Sequence, residues 1–198
     1  MKIIAFDTET TGYTPGNICQ LSYIIDNSGT VSSKNIYFKV KYVEPGAQRV
    51  HGLSVEVLDK LSNGYNFAHH ANEILLDFES SNCWISHNFS FDKNFIFAEF
   101  QRIGIKPHIE KYLCSMKYFT PICKLPQTGR QQTVFGYKYP RLDELAKYFG
   151  FSEDDIAEQA SKIFNMSDER NFHDARVDTT AVYLCYKKAL EMDLIHDK

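Results

Sequence analysis

The chain has no apolar run near the roughly 18 residues needed to cross a bilayer, and no charged-then-apolar leader precedes its first strand-like segment. A soluble, cytoplasmic protein that does not engage membranes is expected. Its five cysteines, Cys19, Cys83, Cys114, Cys123 and Cys185, never fall in a C-x-x-C pair. That scatter argues against a zinc site or a disulfide framework and for reduced packing residues. Glycine and proline cluster into no linker, and no repeat or low-complexity tract interrupts the chain, so one domain over 1–198 is the natural reading. Apolar residues make up 43% of the chain, enough for a sizeable core. A last deficit is local: no aspartate or glutamate occurs between Lys111 and Arg141.

Against these absences stands one concentrated feature. The opening segment Lys2-Ile3-Ile4-Ala5-Phe6-Asp7-Thr8-Glu9-Thr10-Thr11-Gly12 reads as a strand that ends in two acids. Strand side chains alternate, so Asp7 and Glu9 share a face with Ile3 and Ala5, while Ile4 and Phe6 point the other way. Adjacent like charges at the end of a buried strand are costly unless a cation or a shared proton compensates them. A divalent metal bound by hard carboxylate oxygens does so most simply. Two acids facing water is the alternative for such a pair met alone.

Two further acids keep the pair company. Ser86-His87-Asn88-Phe89-Ser90-Phe91-Asp92 follows the apolar run Cys83-Trp84-Ile85, predicting a short strand, a polar turn and a helix with Asp92 in its first turn. His173-Asp174-Ala175-Arg176-Val177-Asp178 leads into a segment whose Ala181, Val182, Leu184, Cys185, Ala189 and Leu190 fit a helical apolar face. Residues five apart on a helix are about 140° apart. His173 therefore belongs on the approach to the helix and Asp178 on the helix itself. Asp174 is expected to cap that helix rather than serve as a fifth ligand.

Taken in order, FDTETTG, SHNFSFD and HDARVD resemble the three motifs of the DnaQ-like (DEDDh) family of 3′-to-5′ exonucleases. That family includes proofreading domains and subunits of DNA polymerases, such as the epsilon subunit of bacterial DNA polymerase III. The resemblance runs from Lys2 to about Leu190, and Val50-His51-Gly52-Leu53-Ser54 is similar to the family's substrate-end loop. It implies a ribonuclease H-like α/β fold and hydrolysis from the 3′ end of DNA, releasing nucleoside 5′-monophosphates. RNA trimming of the oligoribonuclease or ribonuclease T type is the alternative. It implies two divalent cations, Mg²⁺ with Mn²⁺ as a substitute, held by Asp7, Glu9, Asp92 and Asp178, with His173 as general base. Thr10, Thr11, Gly12, His51, Leu53 and Asn88 become candidate contacts to the terminal nucleotide, and a DNA polymerase or other replication or repair protein becomes a candidate partner.

The rest of the chain fits this frame. Asn17 to Asp26 and Thr30 to Tyr42 predict a hairpin turning at Asn27-Ser28-Gly29. Phe67 to Glu79 predicts a helix, Cys83 to Ser86 and Tyr112 to Met116 predict strands, and Arg141 to Tyr148 predicts a helix stopped by Gly150. The expected architecture is a mixed five-stranded sheet with helices on both faces. In the acid-free stretch, Lys111, Lys117, Lys124, Arg130, Lys138 and Arg141 alternate with tyrosines and phenylalanines. Cations that track phosphates beside rings that stack bases make Lys124, Arg130 and Lys138 candidate strand-binding residues; a solvated loop over core aromatics is the alternative. The net charge of −3 does not oppose nucleic-acid binding, because two divalent cations would more than cancel it. The acid-rich segment from Phe151 to Phe172 is expected to form a helical cover beside the site. His69, His70, His108 and His196 show no ligand spacing.

Overall fold

The computed structural model describes residues 1–127, 136–166 and 174–195. Its sheet begins with an antiparallel meander of β1 (Lys2–Thr10), β2 (Ile18–Asn27) and β3 (Thr30–Tyr37). β4 (Cys83–Ser86) and β5 (Lys111–Cys114) then add on the other side of β1, both parallel to it, giving the order β3-β2-β1-β4-β5. The β2–β3 hairpin closes through Ser28 and Gly29, both with positive φ, the backbone that a two-residue turn needs to follow strand twist. Gly29 N–H donates to Asp26 at 2.7 Å and fixes the turn.

Alternation along β1 divides the core. Ile3 and Ala5 pack with Ile24 beneath α6 (Leu142–Tyr148), α7 (Glu153–Phe164) and α8 (Ala175–Glu191). Ile4 and Phe6 pack on the other face with Tyr23 and Trp84 beneath α3 (Phe67–Glu79) and α4 (Phe89–Arg102). Trp84 is fully buried, edge-on to Phe78, and its indole N–H donates to the Phe78 carbonyl at 2.9 Å. A buried indole needs such a partner, and this one ties β4 to the end of α3. The strand-end acids therefore stand on a floor packed from both sides.

Several sequence expectations are corrected. β3 stops at Tyr37 rather than Tyr42, because the chain leaves the sheet: Val40 turns into a small core with Cys19, Val43 and Leu58, Phe38 packs against Phe67 in the α3 layer, and Lys39 N–H donates to the Tyr65 carbonyl. The fifth strand spans Lys111–Cys114, and Ser115–Cys123 is a helix, α5, that the sequence reading missed. It also missed α1 (Pro45–His51) and α2 (Val55–Leu61), each seven residues long. The acid-rich segment is helical as expected in α7, but Ile156 and Ala160 bury it in the α8 core layer and Ser33 bonds its Ile163 carbonyl. Within the described residues it forms a wall of the core; 167–172, the rest of the acid-rich segment, lie outside them. Among the described residues no helix is long and apolar enough to cross a membrane.

Candidate active site

Register sets Asp7 opposite Ser22 and Glu9 opposite Gln20, all on the face that carries α8. Asp174 caps α8 by accepting from Arg176 N–H at 2.9 Å, and Asp178 follows in the first turn. One carboxylate oxygen from each of Asp7, Glu9 and Asp178 lies within 4.8 Å of the others. Glu9 is buried, whereas Asp7 and Asp178 keep partial exposure, so the cluster has a protein wall and an open side.

Asp92 reaches the strand end from the opposite face. It rides in the first turn of α4, whose Phe89, Phe95, Ile96 and Phe100 pack under Ile4 and Phe6. Thr8, the residue between the two acids, points to that face and donates to Asp92 at 2.7 Å. Asp92 is therefore outside the three-acid cluster, yet among the charges acting on Asp7 its effect is the largest.

The electrostatics are those of an uncompensated site. Burial, and then the charges of Asp92, Asp178, Glu9 and Asp174, hold the Asp7 carboxyl well above the usual carboxylate range. Burial and then Asp178, Asp174 and Asp92 push Glu9 up to about 9. Burial, Asp174 and Asp92 push Asp178 up to about 7. Burial pushes Asp92 up to about 6, against the pull of the Thr8 hydroxyl. Every neighbouring charge acting on Asp7 and Glu9 is unfavourable. Hard oxygen donors converging under mutual repulsion fit a divalent cation such as Mg²⁺, which would invert each of these shifts.

Beside the cluster lies a cleft of about 190 Å³ lined by Thr8, Glu9, Thr10 and Gly12 on one side and Val50, His51 and Phe91 on the other. His51 fixes its far wall. Leu53 N–H donates to His51 Nδ1 at 3.0 Å, which makes Nε2 the protonated nitrogen, and Nε2 in turn donates to the Thr10 carbonyl at 3.2 Å. The imidazole thus joins α1 to the end of β1 as a neutral group. Gly12 lies under the Glu44 carboxylate, which a Cβ at this position would meet at 2.3 Å and push aside.

The remaining candidates fall differently. Thr11 is buried and spends its hydroxyl on Asn17 N–H. Leu53 packs against the small core around Leu58. Asn88 is exposed at the start of α4, where its carbonyl rather than its side chain accepts from Phe91 and Asp92. Lys138 is engaged with Glu144 at 2.5 Å, and Lys124 caps α5 with φ +50°. His173 and Arg130 lie outside the described residues, as does His196. His69 closes the α3 cap with Asn66, and His70 packs edge-on to Phe38.

Two residues were passed over. His87, inside the second motif, accepts from Ser115 and donates to the Pro140 carbonyl. Burial pushes its pKa down to about 4, so it is a neutral pin between β4, α5 and the segment entering α6. Gln20 faces the site beside Glu9, and its signal was in plain view: Gln20 and Ser22 alternate with Leu21 and Tyr23, a polar stripe within the apolar run from Ile18 to Ile25.

A mixed sheet of this order, with carboxylates at the end of its central strand and on its last helix, is a nuclease architecture of the ribonuclease H-like kind. The chain belongs to the exonuclease (RNase T) family, whose profile matches residues 4–186. No curated protein matches it in sequence. Among solved structures it is similar to the zinc-ion-bound complex of E. coli exonuclease I with single-stranded DNA, at 20% identity and a TM-score of 0.72 over 98% of this chain and 41% of that one. The same enzyme with a dT13 oligonucleotide matches at 21% identity and 0.71, over 95% and 40%. Exonuclease I from Methylocaldum szegediense matches at 17% identity and 0.68, over 96% and 40%. At such identities the likeness establishes the fold. The chain spans about 41% of the length of the first of these.

Proposed function

We propose that this chain is a 3′-to-5′ exonuclease domain over 1–198 that hydrolyses phosphodiester bonds at the 3′ end of single-stranded DNA and releases nucleoside 5′-monophosphates. The observation that carries the proposal is the meeting of Asp7, Glu9 and Asp178 within 4.8 Å beside a cleft. Complexes of exonuclease I with single-stranded DNA among the similar structures support DNA as the substrate.

Two divalent cations, Mg²⁺ with Mn²⁺ as a substitute, would supply water activation and stabilisation of the leaving 3′ oxygen when bound. Asp7, Glu9 and Asp178 would hold them, with Asp92 completing the set from the α4 side. The chain's own groups do the rest. Thr10, Gly12 and His51 line a cleft that suits the terminal nucleotide, with Leu53 behind it, and Thr11 and Asn88 keep its two rims in place. His173, adjacent to the α8 cap, is assigned the proton from the attacking water; its ordinary pKa of about 6.5 suits that task near neutrality. Lys124, Arg130 and Lys138 are assigned to the strand leading away from the site. Docking on a polymerase, in the manner of the epsilon proofreading subunit, and a cytoplasmic location are the narrower form of this proposal; co-purification from the native cell tests them.

The direct test is digestion of matched single-stranded DNA and RNA labelled at the 5′ end, with and without EDTA. Stepwise loss of 3′ nucleotides from DNA, silenced by EDTA, is the expected result. Cleavage that survives EDTA would defeat the metal-dependent mechanism, and exclusive digestion of RNA would move the substrate to the RNA-trimming class.

A further inference from the structure

We propose that Gln20 is a positioning residue, which fixes the N-terminus of α8 through Asp174 and thereby sets where Asp178 stands relative to Asp7 and Glu9. Gln20 is 1% exposed, and the two hydrogens of its side-chain amide go to Asp174 at 3.0 Å and to Asn35 at 2.9 Å, with the Tyr37 hydroxyl beside them at 3.3 Å. Asn35 also accepts from Ser22 at 2.6 Å, so the same polar stripe binds β2, β3 and the start of α8 together. From the helix side, Arg176 holds Asp174 through Nε at 3.0 Å and through its terminal nitrogen at 2.5 Å. Asp174 is thus gripped from the strand and from the helix. Its carbonyl then accepts the N–H groups of Val177 and Asp178, at 2.8 and 3.2 Å. The path from Gln20 to the ligand is therefore two hydrogen bonds long.

Chemistry explains the choice of an amide. Gln20 sits opposite Glu9 in register, and Asp174 already raises the pKa of Asp7, Glu9 and Asp178. A cationic side chain here would pair with the acids and compete with a metal. A carboxylate would repel Asp174. A neutral donor orients Asp174 without adding charge to the cluster. Groups that orient metal ligands in this way typically carry 10- to 100-fold in metal affinity or activity.

The near-isosteric change Gln20→Met removes the donor and adds no charge. It is expected to lower Mn²⁺ affinity, measured by titration calorimetry, by about tenfold or more. The kcat on a single-stranded oligonucleotide should fall by a similar factor with KM nearly unchanged, the pattern of a misaligned site rather than lost binding. If Gln20→Met leaves Mn²⁺ affinity and kcat unchanged, Gln20 is only a packing residue and the proposal fails. Should Gln20→Met not fold by circular dichroism, Gln20→Leu, which likewise removes the donor without adding charge, is read on the same Mn²⁺ titration. The kinetic arm rests on the exonuclease reading; a wild type without nuclease activity would defeat that reading, while the Mn²⁺ titration would still decide the role of Gln20.

Discussion

The two ends of β1 treat buried acids in opposite ways. At its start, Ile3 faces Asp26 of β2, which is 4% exposed and fully provided for. Burial alone would raise that carboxyl, but Lys187 at 2.9 Å, the Gly29 N–H and the Tyr183 hydroxyl together bring it below the usual carboxylate range. At its end, Asp7 and Glu9 meet further acids and are held well above that range. The sheet and helix α8 are shared, and the partners decide the sign: a cation and two donors at Asp26, further acids at Asp7 and Glu9. A structural acid is satisfied from within the chain, whereas the acids of the proposed site are left for something outside it.

The comparison breaks most visibly in activity. Asp7→Ala should cost more than about 10³-fold in turnover, since metal-held charge stabilisation is worth several kcal/mol at the transition state. The same change should leave the metal-free fold as stable or raise its Tm, by about 2–4 °C for each kcal/mol of repulsion removed. Thermal melts with EDTA, beside initial rates with Mg²⁺, read both halves. A large fall in metal-free Tm would place Asp7 among the structural acids.

His173→Ala sharpens the contrast between a group that moves a proton and groups that hold metal. Loss of a general base typically costs about 10² to 10⁴ in rate. Metal affinity should persist, so single-turnover rates should collapse while a Mn²⁺ titration with nucleotide stays near the wild type. Loss of metal binding as complete as that expected for Asp7→Ala would make His173 a ligand instead.

At the opposite end, Asp26→Ala should cost about 1–3 kcal/mol by stranding the Tyr183 hydroxyl and the turn N–H. Lys187 is partly solvated and adds little to that figure. Activity per folded molecule should not change. Chemical denaturation measures the first and active-site-normalised kinetics the second; a kinetic defect without a stability loss would undo the assignment.

How far the sequence carried these distinctions depends on the range of the interaction. Alternation placed Asp7 and Glu9 on the face of Ile3 and Ala5, and the long apolar periodicity of 67–79 predicted α3. Helices α1 and α2 stayed hidden because seven-residue helices have too few turns for a period to show: α1 buries no residue and α2 buries only Leu58. β3 was overextended because Phe38 and Val40 continue the alternation of a strand, although Val40 packs in a different core. Asp92 was found by motif, but its approach from the α4 face needed the Thr8 bond, a contact between residues 84 apart. Gln20 shows in the sequence as part of a polar stripe, but its place opposite Glu9 comes from the register of the folded hairpin.

A smaller effect is the pH dependence of the metal-free protein. Asp178, pushed up to about 7, and Glu9, pushed up to about 9, bind more protons folded than unfolded above the ordinary carboxylate range near 4. Their contribution to stability is fully present below that range and is lost as pH rises through those values. With EDTA, Tm should therefore decline from pH 5 to pH 9, and Asp7→Asn should flatten the decline. With Mg²⁺ bound, which relieves the repulsion, the decline should be much weaker. Equal slopes with EDTA and with Mg²⁺ would show that no cation relieves these acids.

The claim that the end of β1 awaits a cation is tested most directly by calorimetric titration of Mn²⁺, in the presence of a nucleoside 5′-monophosphate, into the wild type, Asp7→Ala and Asp26→Ala. The account predicts about two ions bound by the wild type and by Asp26→Ala, and none held tightly by Asp7→Ala. Equal binding by Asp7→Ala and the wild type would contradict it.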